Sequence, residues 1–388
     1  MFELAIAGRV LVGPGVRREV APAIESFGVR SVLIVTGRSP ERAQALTADL
    51  AARGIATALF AVDGEPTVDV ARAGVRAIAD AGAGAVIAIG GGSALDTGKA
   101  IAAVATNGGD ALDYVEVVGG GRAITRPPLP FVAVPTTAGT GSEVTRNAVL
   151  SVPGARVKAS MRSALMLPRL AVIDPDLLAA VPAAVIASSG VDALSQVIEP
   201  FLSIRANPLT DGLAREGIVR SARSLRRAFN LGLADDDDAR ADLAITSLCS
   251  GICLANAGLG AVHGFAAPAG GMFGAPHGAV CAALLPHVLR ANLDALRARA
   301  PQHPSLGRMK ELAALLTGAA AADVDAEDGI TFVADLCRAL LIPGLRQYGM
   351  TASDIPDLVA KAKVASSMKG NPLPLTDAEL TDIATRAL

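Results

Sequence analysis

Between Ala85 and Lys99 the chain reads AVIAIGGGSALDTGK, and no other stretch constrains the fold as strongly. Ala85 to Ile89 is a short uncharged run containing Val and Ile, the pattern of a buried strand. Gly90, Gly91 and Gly92 then let the backbone turn tightly with no side chain in the way. Ser93 is placed as an N-cap with Asp96 as its capping partner, so a helix is expected to begin there. Such a turn leaves backbone N–H groups aimed at one spot, backed by the positive end of the helix dipole. That spot suits a phosphate or pyrophosphate, and hence a nucleotide.

The two common nucleotide fingerprints do not fit these letters. A Walker A loop needs four residues between its first glycine and Gly-Lys, then Ser or Thr. Here five residues separate Gly92 from Gly98-Lys99, and Ala100 follows. A dinucleotide fingerprint needs GxGxxG after the first strand, but near the N-terminus Gly13-Pro-Gly15 leads only into Val16, Arg17 and Arg18.

Strand and helix signals alternate around this turn. Phe2 to Leu11 reads as an opening strand or hairpin and Val16 to Phe27 as an amphipathic helix. Ser31 to Thr36, Thr57 to Val62, Ala85 to Ile89, Pro130 to Val134 and Leu170 to Asp174 read as strands, with helices over Pro40 to Gly54, Val68 to Gly82 and Ser93 to Asn107. The alternation predicts a parallel sheet covered on both faces, with its ligand beyond the carboxyl ends of the strands. A second small-residue loop, PTTAGTGSEVTRN from Pro135 to Asn147, follows one of those strands. Its hydroxyls suit a ribose, a phosphate or a nicotinamide amide, and Lys158 offers positive charge nearby. From about Asp176 the strand signals stop and capped helical segments run to the end. The expected organisation is therefore an α/β dinucleotide-binding domain over 1–176 and an all-helical metal and substrate domain over 177–388.

Composition narrows the partners. A net charge of −2 over 388 residues offers no electrostatic reason for nucleic acid or an anionic membrane, and points to a small-molecule substrate. Cys249, Cys253, Cys281 and Cys337 lack zinc-type spacing and lie in apolar company, as reduced, packed thiols of a cytoplasmic protein do. The N-terminus has no basic region ahead of a long apolar core, so no signal peptide is expected. Leu243 to Leu289 contains no Asp, Glu, Lys or Arg, yet Pro268, Pro276 and Pro286 and three histidines interrupt it. Buried central helices lining a polar site are expected there, not a membrane span. The acidic run Asp235 to Asp238 reads as a solvated helix start.

Within the helical half, Asp192, His263 and His277 stand out. Asp192 and Gln196 share one helix face a turn apart, and both histidines lie in the charge-free stretch. A carboxylate with imidazoles in an apolar cavity suits Fe, Zn, Ni or Co. Otherwise each histidine is a satisfied core residue and Asp192 a helix-end or salt-bridge residue.

The succession GGGSALDTGKA, PTTAGTGSEVT, AVIDP, GVDALSQVIEPF, HGFAAPAGGMFGAPHGAVCAALLPH and MKGNP resembles the iron-containing (group III) alcohol dehydrogenase family, in order and over nearly the whole chain. The resemblance implies an N-terminal nucleotide-binding α/β domain, a dehydroquinate synthase-like all-α C-terminal domain, and a homodimer. It puts the pyrophosphate of NAD or NADP on Gly91, Gly92 and Ser93, with Gly37, Asp96, Thr136, Thr137, Thr140, Asn147 and Lys158 around the rest. It makes Asp192, His263 and His277 the catalytic and metal-binding residues, with Gln196 at the remaining ligand position, for Fe or Zn.

Three departures bear on the chemistry. Gln196 stands where most metal-dependent members have histidine, and Ala267 where many aldehyde-reducing members have another. Gly37-Arg38 replaces the acid that often bonds the ribose in NAD-preferring members, so NADP is admissible. The expected activity is hydride transfer between the coenzyme and a small alcohol, aldehyde or ketone. A metal-free enzyme like the maleylacetate reductases and a nucleotide-binding protein with weakened catalysis are the alternatives.

Overall fold

The computed structural model describes residues 2–155 and 157–388, and the chain falls into two compact units. The first comprises Ala5–Thr137 and Gly141–Ala180; the second comprises Val181–Leu388 with Ala138–Thr140 and the first residues of the chain.

The first unit holds strands β1 (Val10–Val12), β2 (Ser31–Thr36), β3 (Ala56–Ala61), β4 (Ala85–Gly90), β5 (Phe131–Pro135), β6 (Asn147–Val152), β7 (Val157–Arg162) and β8 (Leu170–Ile173). Six of them form one parallel sheet in the order β1-β8-β5-β4-β2-β3. Helices α1 (Val20–Ser26), α2 (Gln44–Ala51), α3 (Val68–Ala81) and α4 (Gly92–Asn107) cover it. The covering is visible in the strands themselves: Val32, Ile34, Ile87 and Ile89 enter one core, while Leu33, Val35, Val86 and Ala88 enter another on the opposite face. Strand order reverses at the β2–β4 pair, and an open parallel sheet has its ligand crevice at the carboxyl ends of such a pair.

Three local expectations are corrected. Phe2 to Leu11 makes no hairpin; only Val10–Val12 is a strand, pairing in parallel with β8 before the positive-φ Gly13 and Gly15 turn the chain away. Ser93 is not the N-cap of α4: Gly91 is, and Ser93 lies inside the first turn with no side-chain cap. Asp96 is accordingly no capping partner, its carboxylate being drawn to the Ser142 hydroxyl and the Val149 amide. The β6–β7 antiparallel pair adds two strands to those expected, and buried Ala148, Leu150 and Val152 alternate along β6 at the spacing of a half-covered strand.

The second unit is helical: α5 (Ala183–Leu202), α6 (Pro208–Leu231), α7 (Asp237–Ala257), α8 (Ala261–Phe273), α9 (His277–Arg299), α10 (Ser305–Thr317), α11 (Ala326–Ala339), α12 (Ile355–Val364) and α13 (Asp377–Arg386). The charge-free stretch forms most of α7, all of α8 and the first half of α9. Among the described helices only α9 is by itself long and apolar enough to cross a bilayer, and most of it is buried within the protein. Asp236 caps α7, so the acidic run is a helix start.

Close approach explains one glycine of the organising motif. A Cβ on Gly98 of α4 would stand 2.8 Å from the Phe131 ring and 3.0 Å from the Ala88 Cβ, so the helix lies directly on β4 and β5. Gly98→Val is expected to push α4 off the sheet and lower stability by about 1–3 kcal/mol. The check is a lower urea midpoint at unchanged slope; an unchanged midpoint would show that the helix–sheet contact is looser than described.

Candidate active site and metal centre

Gly90, Gly91 and Gly92 keep φ negative, so the turn after β4 needs small residues for space. A Cβ on Gly90 would meet the Ala94 Cβ at 2.7 Å and the Gly37 nitrogen at 3.2 Å; one on Gly91 would meet the Thr137 hydroxyl at 3.2 Å. The turns after β2, β4 and β5 therefore abut. The first N–H groups of α4 precede its own hydrogen-bond ladder, and no side chain caps them, which is the arrangement an anion takes.

The hydroxyl-rich loop is fixed from below by α4. Lys99 is fully buried; its ammonium donates to the Ser142 carbonyl (3.0 Å), the Thr145 hydroxyl (2.9 Å) and the Asn147 carbonyl, and pairs with Asp96 at 3.2 Å. Burial lowers its pKa, although Asp96 and Glu143 work the other way. Lys99 thus anchors the loop, which explains why a lysine follows Gly98 without a P-loop. Gly37, Gly91, Gly92, Ser93, Asp96, Thr136, Thr137 and Asn147 all fall on these adjoining turns or the loop's base. Thr136 is buried and receives the Arg42 guanidinium at 3.4 Å. Lys158 sits on β7 and pairs with Glu65 at 3.2 Å, and Thr140 belongs to the short segment grouped with the helical unit. Arg38, an exposed loop cation, pairs with Asp63.

In the helical unit, α5 presents Asp192, Gln196 and Glu199 on one face, α8 presents His263 in its first turn, and α9 opens with His277 and carries Cys281 a turn later. Ligand atoms of Asp192, His263, His277 and Cys281 lie within 4.8 Å of one another. His263 Nε2 is 3.3 Å and His277 Nε2 3.8 Å from Asp192 Oδ1. Cys281 Sγ is 3.7 Å from both of those nitrogens. Gly278 makes room, since a Cβ there would strike the Ser188 carbonyl at 2.5 Å and the Asp192 Cβ at 3.4 Å.

The protonation pattern shows what this cluster lacks. Glu199 Oε2 lies 2.7 Å from His263 Nδ1, and its Oε1 accepts the Val262 amide at 2.7 Å, the carboxylate being seated at the start of α8. With the proton on Nδ1, the lone pair of His263 Nε2 faces Asp192 Oδ1, a buried oxygen that accepts no hydrogen bond. Two lone pairs 3.3 Å apart require a positive centre between them, a proton on Nε2 or a metal ion in its place. Gln196 Oε1 is likewise buried without a partner, while its amide hydrogen-bonds the Asp192 carboxylate. Burial opposes the Asp192 charge, but His277, His263 and Gln196 hold its pKa down to about 2. Burial also opposes charge on His263, yet Cys281, Asp192 and Glu199 hold it well above 6.5. The donor set therefore fits a divalent metal.

Reading the residues alone missed Glu199 and Cys281. Both carry a helical signal: Glu199 follows Asp192 by two turns, and Cys281 follows His277 by one. Asn371 of the MKGNP block accepts the Ala261 amide and exchanges side-chain hydrogen bonds with Asn292, so that block holds the start of α8.

Comparison with known proteins agrees with this layout. Residues 7–175 match the profile of iron-containing alcohol dehydrogenase, and residues 186–388 that of the Fe-containing alcohol dehydrogenase family, C-terminal. The chain is 35% identical over 357 residues to a 4-hydroxybutyrate dehydrogenase of Cupriavidus necator, covering 90% of each. A crystal structure of 1,3-propanediol oxidoreductase superimposes with a TM-score of 0.91 at 33% identity, covering 100% of both chains. Sulfoacetaldehyde reductase from Bifidobacterium kashiwanohense, solved in complex with NAD+, matches with a TM-score of 0.86 at 28% identity over 99% of this chain and 98% of its own. A parallel α/β domain followed by a helical domain with a carboxylate–imidazole cluster defines a class of dehydrogenase. The chain belongs to the iron-containing alcohol dehydrogenase family, and it is an oxidoreductase interconverting alcohols with aldehydes or ketones.

Glu199→Gln is expected to reverse the His263 tautomer, because an amide N–H facing Nδ1 places the ring proton on Nε2. Metal affinity should then fall about 10- to 100-fold with the fold retained. A competition titration against a chromophoric chelator reads this; unchanged affinity would remove Glu199 from the site.

Proposed function

We propose that the chain moves a hydride between C4 of NAD or NADP and the carbinol or carbonyl carbon of a small substrate, with a divalent metal, Fe or Zn, on Asp192, His263 and His277. The observation that carries this reading is the convergence of Asp192, His263, His277 and Cys281 ligand atoms within 4.8 Å of one another, with Asp192 Oδ1 and His263 Nε2 3.3 Å apart and buried. When bound, the metal would supply Lewis acidity to the substrate oxygen, and the nicotinamide would supply the hydride acceptor or donor.

The chain's own groups do the rest. Gly91, Gly92 and Ser93 offer first-turn N–H groups to the coenzyme pyrophosphate, with Gly37, Thr136, Thr137, Thr140, Asn147 and Lys158 about the remainder. Asp96 acts through the loop that it and Lys99 hold. Glu199 keeps the His263 proton on Nδ1, and the Asp192 charge offsets the metal's. His277 is the most open member of the cluster, so the substrate oxygen enters from its side. Buried, unpaired thiols at all four cysteines support a cytoplasmic setting. The homodimer is carried over from the family resemblance.

Protein purified without chelators and offered short alcohols and aldehydes with both coenzymes in parallel tests this. Turnover that disappears on chelation and returns with a divalent metal is expected. Coenzyme binding with no turnover on any alcohol, aldehyde or oxo-acid, or full turnover by metal-stripped protein, would contradict it.

A further inference from the structure

Resting on the metal-assisted reading above, the geometry points to Cys281 as a thiolate ligand that takes the fourth donor position, with Gln196 left to orient Asp192. Around a tetrahedral zinc-type centre, bond lengths of about 2.0–2.1 Å to nitrogen and oxygen and about 2.3 Å to sulfur set donor separations of about 3.3 Å for N···O and about 3.6 Å for N···S. Three edges of the cluster already have these lengths. His263 Nε2 to Asp192 Oδ1 is 3.3 Å, and Cys281 Sγ stands 3.7 Å from each imidazole nitrogen. The second oxygen edge, from His277, is 3.8 Å. The sulfur thus occupies a corner of the polyhedron before any ion arrives.

Gln196 is the rival donor, with a buried oxygen that has no partner, but its amide is engaged in supporting the Asp192 carboxylate. Its oxygen is also a hard neutral donor, whereas a thiolate supplies the negative charge that a second carboxylate or thiolate gives in many zinc sites. Cys281 is fully buried among these donors and has no disulfide partner. On metal binding the thiol proton leaves to solvent and the S–M bond replaces S–H, with no change of oxidation state. Such a set suits zinc or cobalt better than manganese or magnesium.

Cobalt(II) added alone to chelator-stripped protein reads the ligand directly. The natural chain is expected to show visible ligand-field bands together with a near-ultraviolet thiolate-to-cobalt charge-transfer band. Cys281→Ser and Cys281→Ala should keep the visible bands, lose the near-ultraviolet one and bind zinc at least about tenfold more weakly, while Gln196→Ala keeps both bands. Cobalt bound without the charge-transfer band, or a band that survives both Cys281 variants, overturns the thiolate ligand and leaves the proposed reaction standing. Failure of the natural chain to bind cobalt overturns both.

Discussion

Asp192 Oδ1 and His263 Nε2 face each other at 3.3 Å across a gap that a proton or a metal ion must bridge, and the helical unit is arranged to keep them so. Glu199 claims the Nδ1 proton and, through the Val262 amide, ties the ring's orientation to the start of α8. Asn371 holds the neighbouring Ala261 amide, so the closing MKGNP block sets the same helix end from the other side. Gly278 lets the start of α9 lie against α5, which brings His277 and Cys281 to the carboxylate. A buried pair of acceptors is costly unless a cation joins them. The surrounding packing is explained by that requirement.

The α/β unit solves a different problem with small residues. Its turns after β2, β4 and β5 are close enough that Gly90 has no room for a Cβ and one on Gly91 would crowd Thr137, and the start of α4 is left uncapped by any side chain. Lys99 and Asp96 hold the hydroxyl loop by main-chain and hydroxyl contacts. A buried ammonium committed to three oxygens gives the loop a fixed base, and a rigid loop presents its donors without ordering them at binding.

Much of this is legible in the letters. Uncharged β-rich runs such as Ser31–Thr36 and Ala85–Ile89 match their strands to within a residue, because a strand buried on both faces leaves no polar alternation to blur its ends. Capped helices such as α13, with the Thr376–Glu379 box, are equally plain. Asp192, His263 and His277 are conspicuous because polar residues in a charge-free stretch need a reason. What the letters conceal is proximity across sequence. Asp96 resembles a capping residue until Ser142, 46 positions away, is seen to bond it. The glycines resemble flexible turn residues until their neighbours are placed. Glu199 and Cys281 lie at helical spacing from recognised site residues, yet only the crossing of α5, α8 and α9 turns that spacing into contact.

The central claim concerns one nitrogen, and the chain's four histidines make it directly observable. Long-range proton–nitrogen correlation spectra of histidine-labelled protein, recorded with and without zinc, report which ring atom of His263 carries the proton. The account predicts that with zinc bound the proton is on Nδ1, while Nε2 is unprotonated and shifted by the metal, and that stripping the metal protonates Nε2. A His263 signal identical in both states would mean that no ion joins this nitrogen to Asp192.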